Sequence, residues 1–351
     1  MVILTQQRIP MKRILVFIFL LAVTLTFAKP QKVIFDTDMG NDIDDALALA
    51  MLYDYQESGK AKVLAILLNK DHIYSPIFTS ILNNYYGYDF PIGIVRDGAT
   101  KFDRHYIIPV SELKNADGSY RFARKIDKSS KIIDAVKLAR KVLAESENGE
   151  VIYISVGFST NVARLLESSA DEYSPLSGRE LVAKKVKYFS IMAGQFAKTK
   201  TLQTFQPEFN VKQDIKSAKL FFENSPVPII FSGIEVGLAL RFPQIEIEKQ
   251  LSKNNVLGVA YHFYALGVNK NKSDRHDRPT WDLTSVQYVF SPELWEVSEP
   301  IKIKVNDNGL LDFSTDSTGK YRYLIIPKNG KDKIMNDLIK RVLSSIPMAE
   351  K

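Results

Sequence analysis

From residue 32 onward, short apolar runs alternate with segments patterned as helices. Val33–Phe35, Lys62–Leu68, Pro91–Val95, Val151–Val156, Val186–Met192 and Pro228–Phe231 read as strands. Between them, Asp44–Gln56, Pro76–Tyr86, Ile132–Ala144, Thr160–Glu167 and Ile215–Glu223 read as helices. Ile132–Ala144 shows this most plainly, because its apolar set recurs at i, i+3, i+4. Strands that are continuously apolar are buried on both faces, which predicts a mostly parallel sheet covered by helices on each side. The rear third changes character. Trp295–Val297, Ile301–Val305, Leu310–Phe313 and Tyr321–Ile326 are short strands, and Asn306-Asp307-Asn308-Gly309 signals an antiparallel hairpin. An amphipathic helix over Lys333–Leu343 closes the chain. The expected fold is therefore α/β, a mostly parallel central sheet flanked by helices, with a small antiparallel β appendage near the C-terminus. Residues 97–130 are polar and irregular, a candidate lid. No repeat or low-complexity linker interrupts the pattern, so residues 29–351 read as one domain.

The first 28 residues differ in kind. Met11-Lys12-Arg13 precedes an apolar run from Ile14 to Ala28, which ends in Thr26-Phe27-Ala28 before Lys29-Pro30-Gln31. A basic start, a short apolar stretch and small terminal residues describe a secretory signal peptide. The run is short for a membrane span, which takes roughly 20 residues. The expectation is a secreted or periplasmic protein with no stable membrane anchor after cleavage. Composition narrows the chemistry further. The chain has 351 residues and no cysteine, which excludes disulfides, thiolate catalysis and Cys-ligated zinc. Its formal charge of +7 includes Arg8, Lys12 and Arg13, the only charges in residues 1–28, so removing three leaves +4. That balance is weak support for a polyanion, and no nucleic-acid partner is expected. Lys184-Lys185-Val186-Lys187 reads as a solvated run before a strand.

The chemistry concentrates where the first strand ends. Asp36, Asp38, Asp42, Asp44 and Asp45 fall within ten residues, directly before the helical Ala46-Leu47-Ala48-Leu49. Five carboxylates this close repel one another unless a cation neutralises them, and all-oxygen donors favour calcium or magnesium over zinc. A capped, acidic first helical turn would need only one or two of them. Ligands of open α/β sheets sit outside the carboxyl ends of the strands. Other strand exits there carry polar residues too: Asn69-Lys70-Asp71, Gly157…Thr160-Asn161, and Gly194-Gln195 running on to Glu208-Phe209-Asn210. Pro279-Thr280-Trp281-Asp282 opens a late helix.

Taken together, these pieces resemble the nucleoside hydrolase family of the inosine-uridine-preferring type, over roughly residues 31–345. The resemblance implies the α/β sheet above, one bound Ca2+, and hydrolysis of the N-glycosidic bond of a small ribonucleoside to base and ribose. It also implies homo-oligomers. Carried onto this chain, Asp38 matches the aspartate that contacts calcium and takes the proton of the metal-bound water. Asp45 matches the bidentate ligand and Asp44 its ribose-holding neighbour. Val156 stands where a backbone carbonyl coordinates the ion, and Asp282 matches the last metal ligand. Asn69, Glu208 and Asn210 match contacts to ribose hydroxyls. The chemistry is consistent: an oxocarbenium-like state at the anomeric carbon needs an activated water and nearby negative potential. Asp36 reads as an inward-facing residue that orients the turn.

This chain also departs from the family's pattern. Its paired aspartates come two residues late, so Asp42 competes with Asp44 for the inner position. The familiar late His-Asp reads Trp281-Asp282, which leaves the leaving-group acid open among His105, Tyr106 and His276. Placing the motif at His276-Asp277 is the alternative, but Asp282 is preferred because an apolar helical run, Leu283–Val289, follows it. Trp281 is a candidate to stack on a nucleobase. His72 and His262 read as packing or surface residues, and the base preference stays open. Two other functions compete. In a haloacid-dehalogenase-like phosphatase, Asp36 would be the nucleophile and Asp38 the acid/base, but Asp44, Asp45, Glu208, Asn210 and Asp282 would have no role. An exported nucleoside- or ribose-binding protein with little turnover would keep the pocket and lack the reaction.

Overall fold

The computed structural model describes residues 29–100, 106–251, 254–268 and 277–344. The expected signal peptide, His105 and His276 fall outside the described residues. Seven strands, β1 (Gln31–Thr37), β2 (Ala61–Leu68), β3 (Ile92–Ile94), β4 (Ile133–Asp134), β5 (Val151–Ser155), β6 (Val186–Met192) and β7 (Ile229–Ser232), are all parallel. Their order is β7-β6-β5-β1-β2-β3-β4, so β1 lies centrally between β5 and β2. A separate two-residue antiparallel pair joins β8 (Arg241–Phe242) to β9 (Arg278–Pro279). β10 (Glu296–Val297), β11 (Ile301–Val305), β12 (Leu311–Thr315) and β13 (Tyr321–Ile325) form the expected antiparallel set. It is not detached: β13 pairs in parallel with β7 and continues the main sheet.

The helices in chain order are α1 (Asp44–Glu57), α2 (Tyr74–Tyr85), α3 (Ile107–Glu112), α4 (Ala135–Ala144), α5 (Thr160–Glu167), α6 (Gly178–Lys185) and α7 (Phe209–Gln213). They continue with α8 (Ile215–Asn224), α9 (Ile234–Ala239), α10 (Gln244–Gln250), α11 (Val256–Val268), α12 (Trp281–Phe290) and α13 (Lys331–Ser344). Alternation along β1 splits the core in two. Val33 and Phe35 face a layer containing α1, α2, α12 and α13, whereas Ile34 faces α4, α5, α6 and α8. Each of these fully buried side chains contributes roughly 1.5–3 kcal/mol. Among the described residues, no helix is long and apolar enough to cross a membrane.

Local chemistry sets the helix starts. The Asp134 carboxylate caps α4 by accepting from the Val136 and Lys137 amides at 2.9 and 3.1 Å. Ser177 and Glu180 form a reciprocal capping box that opens α6, so Lys184 and Lys185 end a helix. The expected helix over Ile132–Ala144 begins three residues later, because Ile133 and Asp134 pair with β3. Within the polar 97–130 region, α3 is a short helix whose Ile107 and Val110 are buried against the core.

Candidate active site

β1 delivers its last residues between two neighbouring strand ends. The Val156 amide donates to the Asp36 carbonyl and the Asn69 amide to the Thr37 carbonyl, which locks three strand exits together. Gly157 lets them approach: a Cβ there would lie 2.5 Å from Asn69 Oδ1 and 2.6 Å from the Asp38 nitrogen. The chain then turns, and α1 starts with Asp44 and Asp45 in its first turn. From the far end of the sequence, α12 packs against α1 and carries Asp282 in its own first turn. Both helix N-termini therefore point acidic residues at one place, where their partial positive charge favours them.

That place is a cavity of about 150 Å³ lined by Asp38, Asn41, Asp42, Asp44, Asp45, Val156, Met192, Glu208, Phe209, Asn210, Ile234, Trp281 and Asp282. Eight of the nine site residues expected from sequence meet here. Asn69 does not. Its Nδ2 donates to Asp36 Oδ1 at 3.0 Å and its Oδ1 accepts from the Phe158 amide at 3.1 Å, so both ends of its amide are engaged outside the pocket lining. Asp36 faces inward as expected. It is fully buried and accepts from Asn69, from Asn161 Nδ2 at 2.9 Å and from the Tyr153 hydroxyl at 3.1 Å. A carboxylate so enclosed cannot act as a phosphoryl-accepting nucleophile. Tyr106 is also buried and outside the pocket lining, with its hydroxyl donating to the Asp42 carbonyl at 2.9 Å.

On the opposite wall, Glu208 caps α7. Its carboxylate accepts from the amides of Asn210 at 2.9 Å and of Val211 and Gly194 at 3.3 Å. Asn210 Nδ2 donates to the Val156 carbonyl at 3.0 Å and the Met192 carbonyl at 3.2 Å, tying the ends of β5 and β6 to this wall. Trp281 is clamped: its Nε1 donates to the Ile234 carbonyl at 2.9 Å, and Gly237 packs against its ring where no Cβ would fit.

Electrostatics dominate this pocket. Burial raises Asp38 to about 7, against the pull of the buried Lys70, and raises Asp44 to about 6 against the pull of Arg278. Asp45 and Asp282 are pushed well above the usual carboxylate range by burial and then by neighbouring carboxylates. Glu208 is raised to about 7 by burial. Two neighbours that the sequence reading passed over complete the site. Lys70 Nζ donates to Asn41 Oδ1 at 3.4 Å, and Asn41 Nδ2 donates to Asp38 Oδ2. Arg278 pairs with Asp42 and Asp44. Nothing in the spacing of a lone Lys or Arg announces such a contact, although Arg278 lies four residues before Asp282.

Among the described residues, no three His, Cys, Asp or Glu side chains already stand in ion-holding geometry. Asp38 is turned onto Asn41, and Asp45 accepts from the Thr37 hydroxyl. The donor set nevertheless fits a hard divalent cation. It consists of oxygen alone, and its mutually destabilised carboxylates exceed the positive charge that Lys70 and Arg278 supply.

The sequence profile of the inosine-uridine preferring nucleoside hydrolases matches residues 33–321. The chain belongs to this family. It is thus a nucleoside hydrolase, an N-ribohydrolase of a metal-dependent family acting on the N-glycosyl bonds of ribonucleosides. No curated protein matches it in sequence. Solved structures share its fold. A plant nucleoside hydrolase superposes with a TM-score of 0.67 at 19% identity, covering 90% of this chain and 99% of its own. The purine-preferring ribonucleoside hydrolase from Gardnerella vaginalis gives 0.66 at 17%, with 90% and 98% covered. The inosine-uridine preferring enzyme from Bacillus anthracis gives 0.64 at 15%, with 90% and 100% covered.

Proposed function

We propose that this nucleoside hydrolase is calcium-dependent and exported, and that it releases free base and ribose from a small ribonucleoside. The observation that carries the reading is the convergence of Asp282 with Asp38 and Asp45, from opposite ends of the chain, in one acid-rich pocket. The expected export signal, residues 1–28, adds the location.

Asp38, Asp44, Asp45, Asp282 and the Val156 carbonyl would hold the ion. When bound, a divalent cation lowers the pKa of a coordinated water and orients it. Asp38 takes the proton from the attacking water, a role open to a carboxylate that lines the pocket beside the ion. Glu208 and Asn210 hold the ribose hydroxyls. With Asn210 Nδ2 committed to two carbonyls, its Oδ1 is the acceptor offered to the sugar. The surrounding carboxylates stabilise the positive charge that develops on the ribosyl ring. Trp281, Phe209, Ile234 and Met192 form the apolar part of the wall and exclude water from the leaving base.

The test is release of reducing sugar from purine, pyrimidine and nicotinamide ribosides, with calcium and with chelator. At least one riboside should be hydrolysed with calcium and spared with chelator. Binding without ribose release would make the chain a nucleoside-binding protein. Asp38→Ala should lower kcat by roughly 10²–10⁴ with the fold intact. Normal turnover by that variant would remove Asp38 as the base.

A further inference from the structure

Two departures from the family pattern meet at a side chain that belongs to neither motif. One is the extra aspartate of the N-terminal turn, Asp42; the other is Trp281, standing where a histidine is familiar. Arg278, carried in by β9, is buried between them. Its Nη2 pairs with Asp42 Oδ2, and its Nε lies 3.5 Å from Asp44 Oδ1. Its guanidinium sits 4.6 Å over the Trp281 ring and 5.3 Å from the Tyr264 ring. The other Asp42 oxygen accepts from the Tyr264 hydroxyl at 2.8 Å.

We propose that Arg278 is a positioning residue that draws Asp42 away from the bound ion and leaves Asp44 to serve it. The inference rests on the calcium reading above. Six acids line the pocket, more than one divalent ion can neutralise. A guanidinium is permanently charged, and its planar fork reaches two carboxylates while its faces stack on aromatic rings. Asp42 is thereby bound on both oxygens by Arg278 and Tyr264, which leaves Asp44 as the neighbour of Asp45 that serves the ion.

The two halves of the ion pair should act on cation affinity with opposite signs. Removing Arg278 deletes a positive charge beside the ion and frees a carboxylate for it. Removing the Asp42 charge leaves the buried guanidinium opposed by Asp44 alone, so its charge bears more strongly on the ion and on that ligand. A brace with no electrostatic role would weaken calcium binding from either side. Calorimetric calcium titrations of the purified chain distinguish the two. Arg278→Met should bind calcium roughly threefold to tenfold more tightly while its kcat falls, and Asp42→Asn should bind it more weakly by a similar factor. The double variant should return towards wild type, and Arg278→Lys should keep near-native affinity. Weakening in both single variants, or no change in either, would overturn the proposal. If Arg278→Met does not fold, weaker binding by Asp42→Asn beside native binding by Arg278→Lys carries the test, and equal binding by those two overturns it. A wild-type chain that binds no calcium would sink the calcium reading itself, and this proposal with it.

Discussion

Stripping divalent ions from this protein should make it lose stability as pH rises from 5 to 8. The unfolded chain releases its carboxyl protons near the ordinary values of 3.8 and 4.5, whereas the folded chain holds several of them to higher pH. Asp38 and Glu208 stay protonated up to about 7 and Asp44 to about 6, chiefly because burial disfavours the charged form. Folded carboxyls with raised values bind more protons than unfolded ones. Their stabilising contribution is therefore complete below about pH 4 and is lost as pH climbs through about 7. A carboxyl moved from 3.8 to about 7 gives up some two units of that shift between pH 5 and 8, or about 3 kcal/mol. Neighbouring carboxyls share that penalty, so one group's worth is the figure to expect, a fall in Tm on the order of 10 °C. Calcium at a hundred times its Kd restores about 2.7 kcal/mol. Part of the slope survives the ion, because Asp36 and Glu235, also raised to about 7 by burial, lie outside the pocket. The assay is differential scanning fluorimetry from pH 5 to 8 at constant ionic strength, in chelator and in calcium. A chelated protein whose Tm is flat or rises across that range would refute the reasoning, since the pocket carboxylates would then already be neutralised by the protein's own cations.

Further outcomes follow from single contacts. Asp282→Asn should weaken calcium binding in calorimetry by at least about tenfold; Asp277→Asn should not, because Asp277 accepts from the Gln244 amide at 2.9 Å, outside the pocket lining. The reverse result would move the late motif to His276-Asp277. Gly237→Ala would place a Cβ 2.0 Å from Trp281 Cδ1, and relieving that overlap costs about 1–3 kcal/mol. A shifted tryptophan emission and a lower kcat/KM should report it. Asn161→Ala deprives the buried Asp36 of a donor and should cost about 1–3 kcal/mol in urea unfolding, with calcium affinity unchanged.

The layered α/β architecture was legible in the residue pattern, because continuous apolar runs such as Lys62–Leu68 leave a strand no solvent-facing side. The pattern also placed most of the pocket, since Asp38, Asp45, Glu208 and Asp282 follow strand exits or open helices, and such positions lie at one edge of a parallel sheet. It under-read α9 and α11, where helix and buried strand share the same apolar composition. Three features emerged only from the docking of distant elements. That docking joined the C-terminal strands to the sheet through β13, a pairing between distant segments that no local pattern encodes. It engaged both ends of the Asn69 amide, one on Asp36 and the other on the Phe158 amide. And it set Arg278 against Asp42, 236 positions earlier in the chain. Periodicity reports which face a residue takes; which charge it meets there depends on how whole elements dock, and that is settled only when the core closes.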